Sequence, residues 1–583
     1  MTRTSLLRLG FFVLFGCCAA PGQRPFRRQS STQTKPHANT PYVITGTVVS
    51  SIDQSPVAHC HLTVSPVVHD SYAGRQFSGD SDSFDCDDHG HFTVSVPSPG
   101  SWHLSASARG FVTQAYQEHQ SYSTAIVLSA AKPAFDLQFP LSPEASITGV
   151  VVDEAGEPVR TAQVSLQTVP EPSPDGSKPP GGVKAATRTD DRGMYEFVNI
   201  APGSYRILAQ AQPWYATAAG QPRQTSSSPD QLDPSLDFAY PVTWFPGVDD
   251  PGLAEPVTLH AGDLRQADFH LTPVPSIHLH ILPPAGSSVA ANGRAPLFPT
   301  VQQIIPGIGS QNILPASVHT DPQGQMDVGG FAPGIYQIRA TGPNQSGRSN
   351  IVEVTAGSVR TIDLNASSDE ARVTLHFEGL SDADSESRPV QVNLVDTDTG
   401  RGTFSSFRGG GGPGDFRRRD RSNSDADRTL EVPPGRYEVV LLGRPGLYLT
   451  GITGKGAEVA GRYITVGTGS STLTLHIASG RASLAGIASF QDKPSIGAMV
   501  LLVPTTIEER GSIRILRRDQ TNTDGGFELT DVIPGQYILV VIDHGWEINF
   551  SDRSTLHRYL MQGVPMDLTS GANVKQNVDA QAP

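Results

Sequence analysis

The sequence predicts an all-β fold: five tandem antiparallel Greek-key-type β-sandwich domains in an extended array. Three observations predict it. The 583 residues include 58 glycines and 47 prolines but only 6 methionines, and charged residues make up 17%. That is the profile of a turn-rich β protein rather than a helical bundle or coiled coil. Second, a Pro-Gly-x-aromatic element recurs five times at spacings of 103, 131, 101 and 100 residues. Third, short alternating apolar runs separated by Gly/Pro turns fill each interval, the pattern of a sandwich. Length alone suggests about four domains, and units of this size can each hold a core.

In chain order, residues 1–20 read as a signal peptide. Arg3 and Arg8 give the positive start and Leu9–Gly16 the apolar stretch, too short to span a bilayer. Leu14-Phe15-Gly16-Cys17 is similar to a lipobox, which makes Cys17 a lipidation candidate; cleavage after Ala20 is the alternative. Residues 21–40 are polar and proline-containing, a flexible tether. Apart from Cys17 and Cys18, the only cysteines are Cys60 and Cys86. In an oxidising compartment their simplest fate is a disulfide. A metal site with His59 and His61 is the alternative, but strand alternation sends those histidines to the face opposite Cys60.

The five repeat elements are Pro99-Gly100-Ser101-Trp102, Pro202-Gly203-Ser204-Tyr205, Pro333-Gly334-Ile335-Tyr336, Pro434-Gly435-Arg436-Tyr437 and Pro534-Gly535-Gln536-Tyr537. Nine residues before the proline stand Gly90, Gly193, Gly324 and Gly525, with Asp425 in the fourth copy. Turns such as Asp191-Arg192-Gly193 use glycine's access to positive φ. A short strand follows, then Pro-Gly in positions suited to a type II turn, then a strand with its aromatic inward. The expectation is a hairpin. Opening strands are predicted at 42–49, 146–152, 277–281, 373–377 and 483–490, and closing strands at 134–139, 267–271, 359–364, 472–477 and 574–578. Trp102 and the four tyrosines are expected in the cores.

The opening xxGxV strand, the Pro-Val turn, the x-Asp-x-x-Gly-x-aromatic stretch and Pro-Gly-x-Tyr together resemble the carboxypeptidase regulatory-like domain. The resemblance covers residues 41 to 580, strongest in copies two and five. It implies a transthyretin-like β-sandwich, related in shape to the B-type repeats of collagen adhesins and to starch-binding-like domains. It also implies export, often with attachment to the outer membrane, and no peptidase activity. Collagen-adhesin-type repeats often carry a Lys–Asn cross-link from the opening strand. The opening strands here contain no lysine, so that chemistry does not transfer.

Candidates for chemistry are sparse. His544-Gly545-Trp546-Glu547 has zinc-peptidase spacing, which a chain with 17 histidines supplies by chance. No nucleophile elbow, phosphate loop or C-x-x-C occurs, so neither a catalytic residue nor a cofactor is expected. Asp80, Asp82, Asp85, Asp87 and Asp88 crowd one loop, without a calcium ligand order. His59, His61, His69, His89, His91, His103 and His119 are scattered through copy one, and no metal is expected. Trp214-Tyr215 and Trp244-Phe245 flank the long insertion of copy two, 211–260. They are candidates for stacking sugar rings, or else anchors of that insertion. Residues 401–428 form a Gly/Arg-rich loop in copy four.

The expected organisation is signal 1–20, tether 21–40, and sandwiches at 41–142, 143–274, 275–368, 369–479 and 480–583. A formal charge of −14 argues against nucleic acid as a partner, and membrane contact is expected only through the signal or a lipid anchor. The functional expectation is a non-enzymatic exported scaffold, adhesion or interaction module of the cell envelope. Its partner would be a polysaccharide or an extracellular protein, and its location outer-membrane lipoprotein, periplasmic or extracellular. The rival reading is a carbohydrate-binding protein.

Overall fold

A computed structural model describes residues 42–67, 81–169, 182–219, 234–282, 300–305, 309–313, 315–320, 325–339, 349–356, 360–363, 371–379, 390–397, 402–404, 428–442, 446–505, 516–549 and 553–583. The signal, the tether, Cys17, His69, Asp80, Gly324 and most of the Gly/Arg-rich loop lie outside the described residues.

The first copy sets the plan. One sheet holds β1 (Tyr42–Ser50), β4 (His91–Val96) and β8 (Ala134–Leu141), in the order β4-β1-β8. The facing sheet holds β2 (His61–Pro66), β3 (Asp82–Asp85), β5 (Gly100–Ser107), β6 (Gln114–Ala115) and β7 (Ile126–Leu128). All pairings are antiparallel except one: β1 runs parallel to β8. The same parallel pairing of opening and closing strands recurs in each later copy.

The Pro-Gly element does not form the expected hairpin. In every copy the strand before it lies in the opening strand's sheet and the strand after it in the facing sheet. In the second copy, for example, Met194–Ile200 pairs with Ala145–Val152 while Gly203–Gln210 pairs with Gln163–Thr168. The element is therefore a corner between sheets. Gly100, Gly203 and Gly535 take φ of 145°, 155° and 152°, far from the roughly +80° of a type II turn. The tyrosine closes the corner instead. Its hydroxyl donates to the carbonyl four residues back, the residue before the proline: Tyr205 to Ala201, Tyr336 to Ala332, Tyr437 to Pro433 and Tyr537 to Ile533, at 2.5–2.8 Å.

Alternation along the strands builds five separate cores, spanning Ile44–Leu141, Ala145–Leu271, Ile277–Ile362, Ala371–Ile477 and Ala482–Ala580. Trp102, Tyr205, Tyr336, Tyr437 and Tyr537 are buried in them, as expected. Met499–Pro504 departs from alternation, being buried at every position. The helix Arg553–Leu560 explains this run: Leu556 and Tyr559 cover the outer face at Met499, Leu501 and Val503.

Contacts also join the sandwiches. Arg481 donates to the Leu447 carbonyl of copy four and to Asp531 of copy five. An array drawn out end to end would keep copies one and five apart, yet they touch. Strand β7 pairs with β5 along one edge, and its other edge needs partners. A turn of copy five supplies them: Val127 N donates to Thr523 Oγ1, Ala125 N to Asn522 Oδ1, and Thr523 N to the Ala125 carbonyl.

Among the described residues no helix is long and apolar enough to cross a membrane.

Candidate functional site

A cleft of about 820 Å³ opens between the second and third sandwiches. Two contacts join these sandwiches. Trp244 packs with Leu208 and Ala254 of copy two against Ile305 of copy three. His278 of copy three bridges two carboxylates, Nε2 to Asp237 at 2.8 Å and Nδ1 to Asp327 at 2.9 Å. Burial alone would push the imidazole down, but both aspartates hold it above its ordinary value.

The lining is rich in carboxamides: Gln163, Gln210 and Gln212 from copy two, Gln303, Gln311 and Asn312 from copy three. Gln163 donates to Gln311 across the divide at 3.4 Å. Gln210 Oε1 has no hydrogen-bond partner. Charges of both signs stand around them, Arg160 and Arg188 against Asp153, Glu157 and Asp191.

Trp214 also lines the cleft and is 70% exposed. It begins a short helix, Trp214–Ala219, and meets Tyr215 edge-on with ring centroids 5.8 Å apart. The Tyr215 hydroxyl donates to Glu154 Oε1 and that of Tyr240 to Oε2. Burial resists ionisation of Glu154, but hydrogen bonds from Tyr240, a backbone amide and Tyr215, with the nearby His270, together hold its carboxyl below the usual value. Burial and the adjacent carboxylate push the Tyr215 hydroxyl up to about 12.

The four aromatic candidates therefore separate. Trp244 is only 2% exposed, which removes it as a stacking surface and makes it an anchor, because its large ring fills the contact between copies. Phe245 is half-buried and edge-on to Phe269. Tyr215 is held by Glu154, and Trp214 alone of the four is exposed. Nothing in the residues around Trp214 singled out Gln303, Gln311 or Asn312, which lie about a hundred residues further along.

The other candidates are elsewhere. Cys60 and Cys86 are joined by a disulfide. His59 lies not on a strand but in a turn with φ 55°, since β2 begins only at His61. Of the remaining described histidines of copy one, His89 and His91 have ring centroids 6.4 Å apart, and the hydrogen-bonded ones have separate partners: His61 meets Asp85, His91 meets Thr47, His103 meets Ser123 and His119 meets Gln520. The acidic loop is partly spent on turn geometry, Asp87 Oδ1 accepting from the His89 and His91 amides. No group of three potential metal ligands comes together among the described residues. His544-Gly545-Trp546-Glu547 is a 3₁₀ turn rather than a strand. Its Trp546 stacks on His119 of copy one, ring centroids 5.3 Å apart and planes 7° off parallel.

That stack belongs to the seam between copies one and five. The Gln520 side chain lies buried at its centre. Its Nε2 donates to the Gln117 carbonyl at 2.6 Å and to Thr124 Oγ1 at 2.8 Å, while Oε1 meets His119 Nδ1 at 3.1 Å. Arg518 donates to Gln120 and lies over the Tyr122 ring.

Repeated facing sheets with a parallel opening–closing pair define a tandem β-sandwich protein. In the second unit, residues 146–272 match the carboxypeptidase regulatory-like domain. Among solved structures, the TIE protein of Bacillus anthracis is 11% identical, over 73% of this chain and 69% of its own, with a TM-score of 0.15. A streptococcal ancillary pilin is 12% identical over 55% of this chain and 98% of its own, with a TM-score of 0.18. A minor pilin of Streptococcus agalactiae is 11% identical over 40% and 97%, with a TM-score of 0.20. Scores of this size establish no common arrangement of domains. A search among curated proteins finds no match.

Proposed function

We propose that this chain is a non-enzymatic, exported scaffold, adhesion or interaction module of the cell envelope. It is built from five folding units at 41–142, 143–274, 275–368, 369–479 and 480–583, with its N-terminal signal processed at Cys17 or after Ala20. One observation carries the reading. What recurs is the buried aromatic of the corner, a bonded tyrosine in four of the five copies, which is structural, while the polar side chains between copies join one sandwich to the next. The family matched by the second unit is a non-catalytic domain type, and the disulfide agrees with an oxidising location. Several units on one chain suit multivalent contact, where linked weak sites reinforce one another.

The test is surface display. Full-length chain expressed on a non-adherent bacterium should increase retention on immobilised envelope or extracellular polymers, and labelled palmitate should enter the wild type but not Cys17→Ala. Retention equal to that of the undecorated host would remove the adhesion reading. A processed chain that takes up no label would leave the alternative cleavage after Ala20. A second reading, carbohydrate binding, is favoured by the exposure of Trp214 beside an amide-lined cleft.

A further inference from the structure

We propose that the cleft between the second and third sandwiches binds a neutral oligosaccharide, with Trp214 as the stacking platform and carboxamides from both sandwiches as the hydrogen-bonding walls. The proposal rests on the carbohydrate reading and gives it a place and a ligand class.

The volume, about 820 Å³, falls within the range of roughly 300–1,000 Å³ typical of small-ligand sites. The lining chemistry is unusual for a void between packed domains. A hydrophobic seam would bring Leu and Val to such a place, and an ion-pair seam would bring matched charges. Here six carboxamides converge from two domains. A carboxamide carries an uncharged donor and an uncharged acceptor on one rigid plane; here Gln163 already donates to Gln311, and Asn312 Oδ1 accepts from Gln302. A sugar hydroxyl is likewise both donor and acceptor, so adjacent hydroxyls can be matched without burying a charge.

Charge narrows the class. Arg160 and Arg188 stand against Asp153, Glu157 and Asp191, so the rim carries both signs rather than a single one with which to gather a polyanion or a polycation. The remaining feature is the indole. A tryptophan 70% exposed at the lip of a polar cleft leaves apolar surface in water. Covering part of that surface with the C–H face of a pyranose ring is favourable, and the ring's hydroxyls would then meet the amides. Tyr215 braces the indole from the side, and its own hydroxyl is fixed by Glu154. Neither sandwich builds this site alone. Copy two brings the platform and half the amides, and copy three the opposing wall.

The experiment is affinity electrophoresis of the full chain in gels containing neutral polysaccharides (a mixed-linkage β-glucan, a glucomannan, a xylan and a soluble starch) or a charged one (alginate). Trp214→Ala and Gln311→Ala are run beside wild type, with circular dichroism as the control for folding. Expected is retardation by at least one neutral polymer. Trp214→Ala should weaken it at least about tenfold, as loss of a central aromatic does, and Gln311→Ala, from the opposite sandwich, should weaken it measurably. Retardation that survives both substitutions would overturn this site while leaving the carbohydrate reading in place. Retardation by alginate alone would overturn the neutral-ligand class. No retardation by any polymer would overturn both site and reading, and would not touch the adhesion test above.

Discussion

Tyr537 donates its hydroxyl to the carbonyl of Ile533 from a buried position, and Tyr205, Tyr336 and Tyr437 repeat the bond. At the equivalent place in copy one, Trp102 is buried and its Nε1 has no hydrogen-bond partner. The indole fills the core but cannot reach the corner carbonyl. Removing one such hydroxyl should therefore cost about 1 kcal/mol, the usual net worth of an intramolecular hydrogen bond, with more if the carbonyl is left dry. Tyr336→Phe is expected to lower the urea midpoint accordingly, with an unchanged slope; a midpoint equal to wild type would show that the corner holds without the bond. Glycine acts at a second position for a different reason. A Cβ on Gly46, Gly149 or Gly486 would lie about 2 Å from a carbonyl oxygen of the parallel closing strand, and the Phe92, Tyr195 or Phe527 ring packs against the same spot. The glycine of the xxGxV opening strand is thus a requirement of backbone approach, not of a turn.

Between elements, the pairing of His278 with Asp237 and Asp327 ties copy three to the insertion of copy two. Because the folded histidine titrates above its unfolded value, it binds its proton more tightly when folded. Its stabilising contribution is complete below the unfolded value of about 6.5 and is lost as pH rises through the raised folded value. His278→Asn should accordingly destabilise the protein at pH 6 and much less at pH 9, read as the difference in urea midpoints. A difference independent of pH would mean that the imidazole packs without carrying charge. Trp244, in the same contact, acts through volume. Its ring sits among Leu208, Ala254 and Ile305, and truncating a buried tryptophan costs about 3–5 kcal/mol.

For the whole chain, the seam between copies one and five decides which ends meet. Gln520 is buried there with three partners from copy one, and each buried group left unpaired costs about 1–3 kcal/mol. Gln520→Ala should increase the distance between fluorophores placed on exposed positions of copies one and five, with little effect on the core of either. An unchanged distance would place the holding energy in the other seam contacts, the bonds of Asn522 and Thr523 to copy one, Arg518 with Gln120 and Tyr122, and the His119–Trp546 stack.

The sequence by itself determined the repeat, the strands and the core. Opening strands expected at 42–49 and 483–490 form at Tyr42–Ser50 and Ala482–Phe490, and the aromatic of each Pro-Gly element is buried as expected. These features are local: a period of two along a strand states which side chains face inward. The tertiary structure decided the rest. That Pro-Gly turns a corner between sheets depends on which strand pairs with which, and alternation is the same in either case. That Trp244 is buried depends partly on Ile305, about sixty residues further along. The cleft's amides and the Gln520 seam likewise join residues that share no window of sequence. Such contacts form when whole folded surfaces meet, and no local pattern records them.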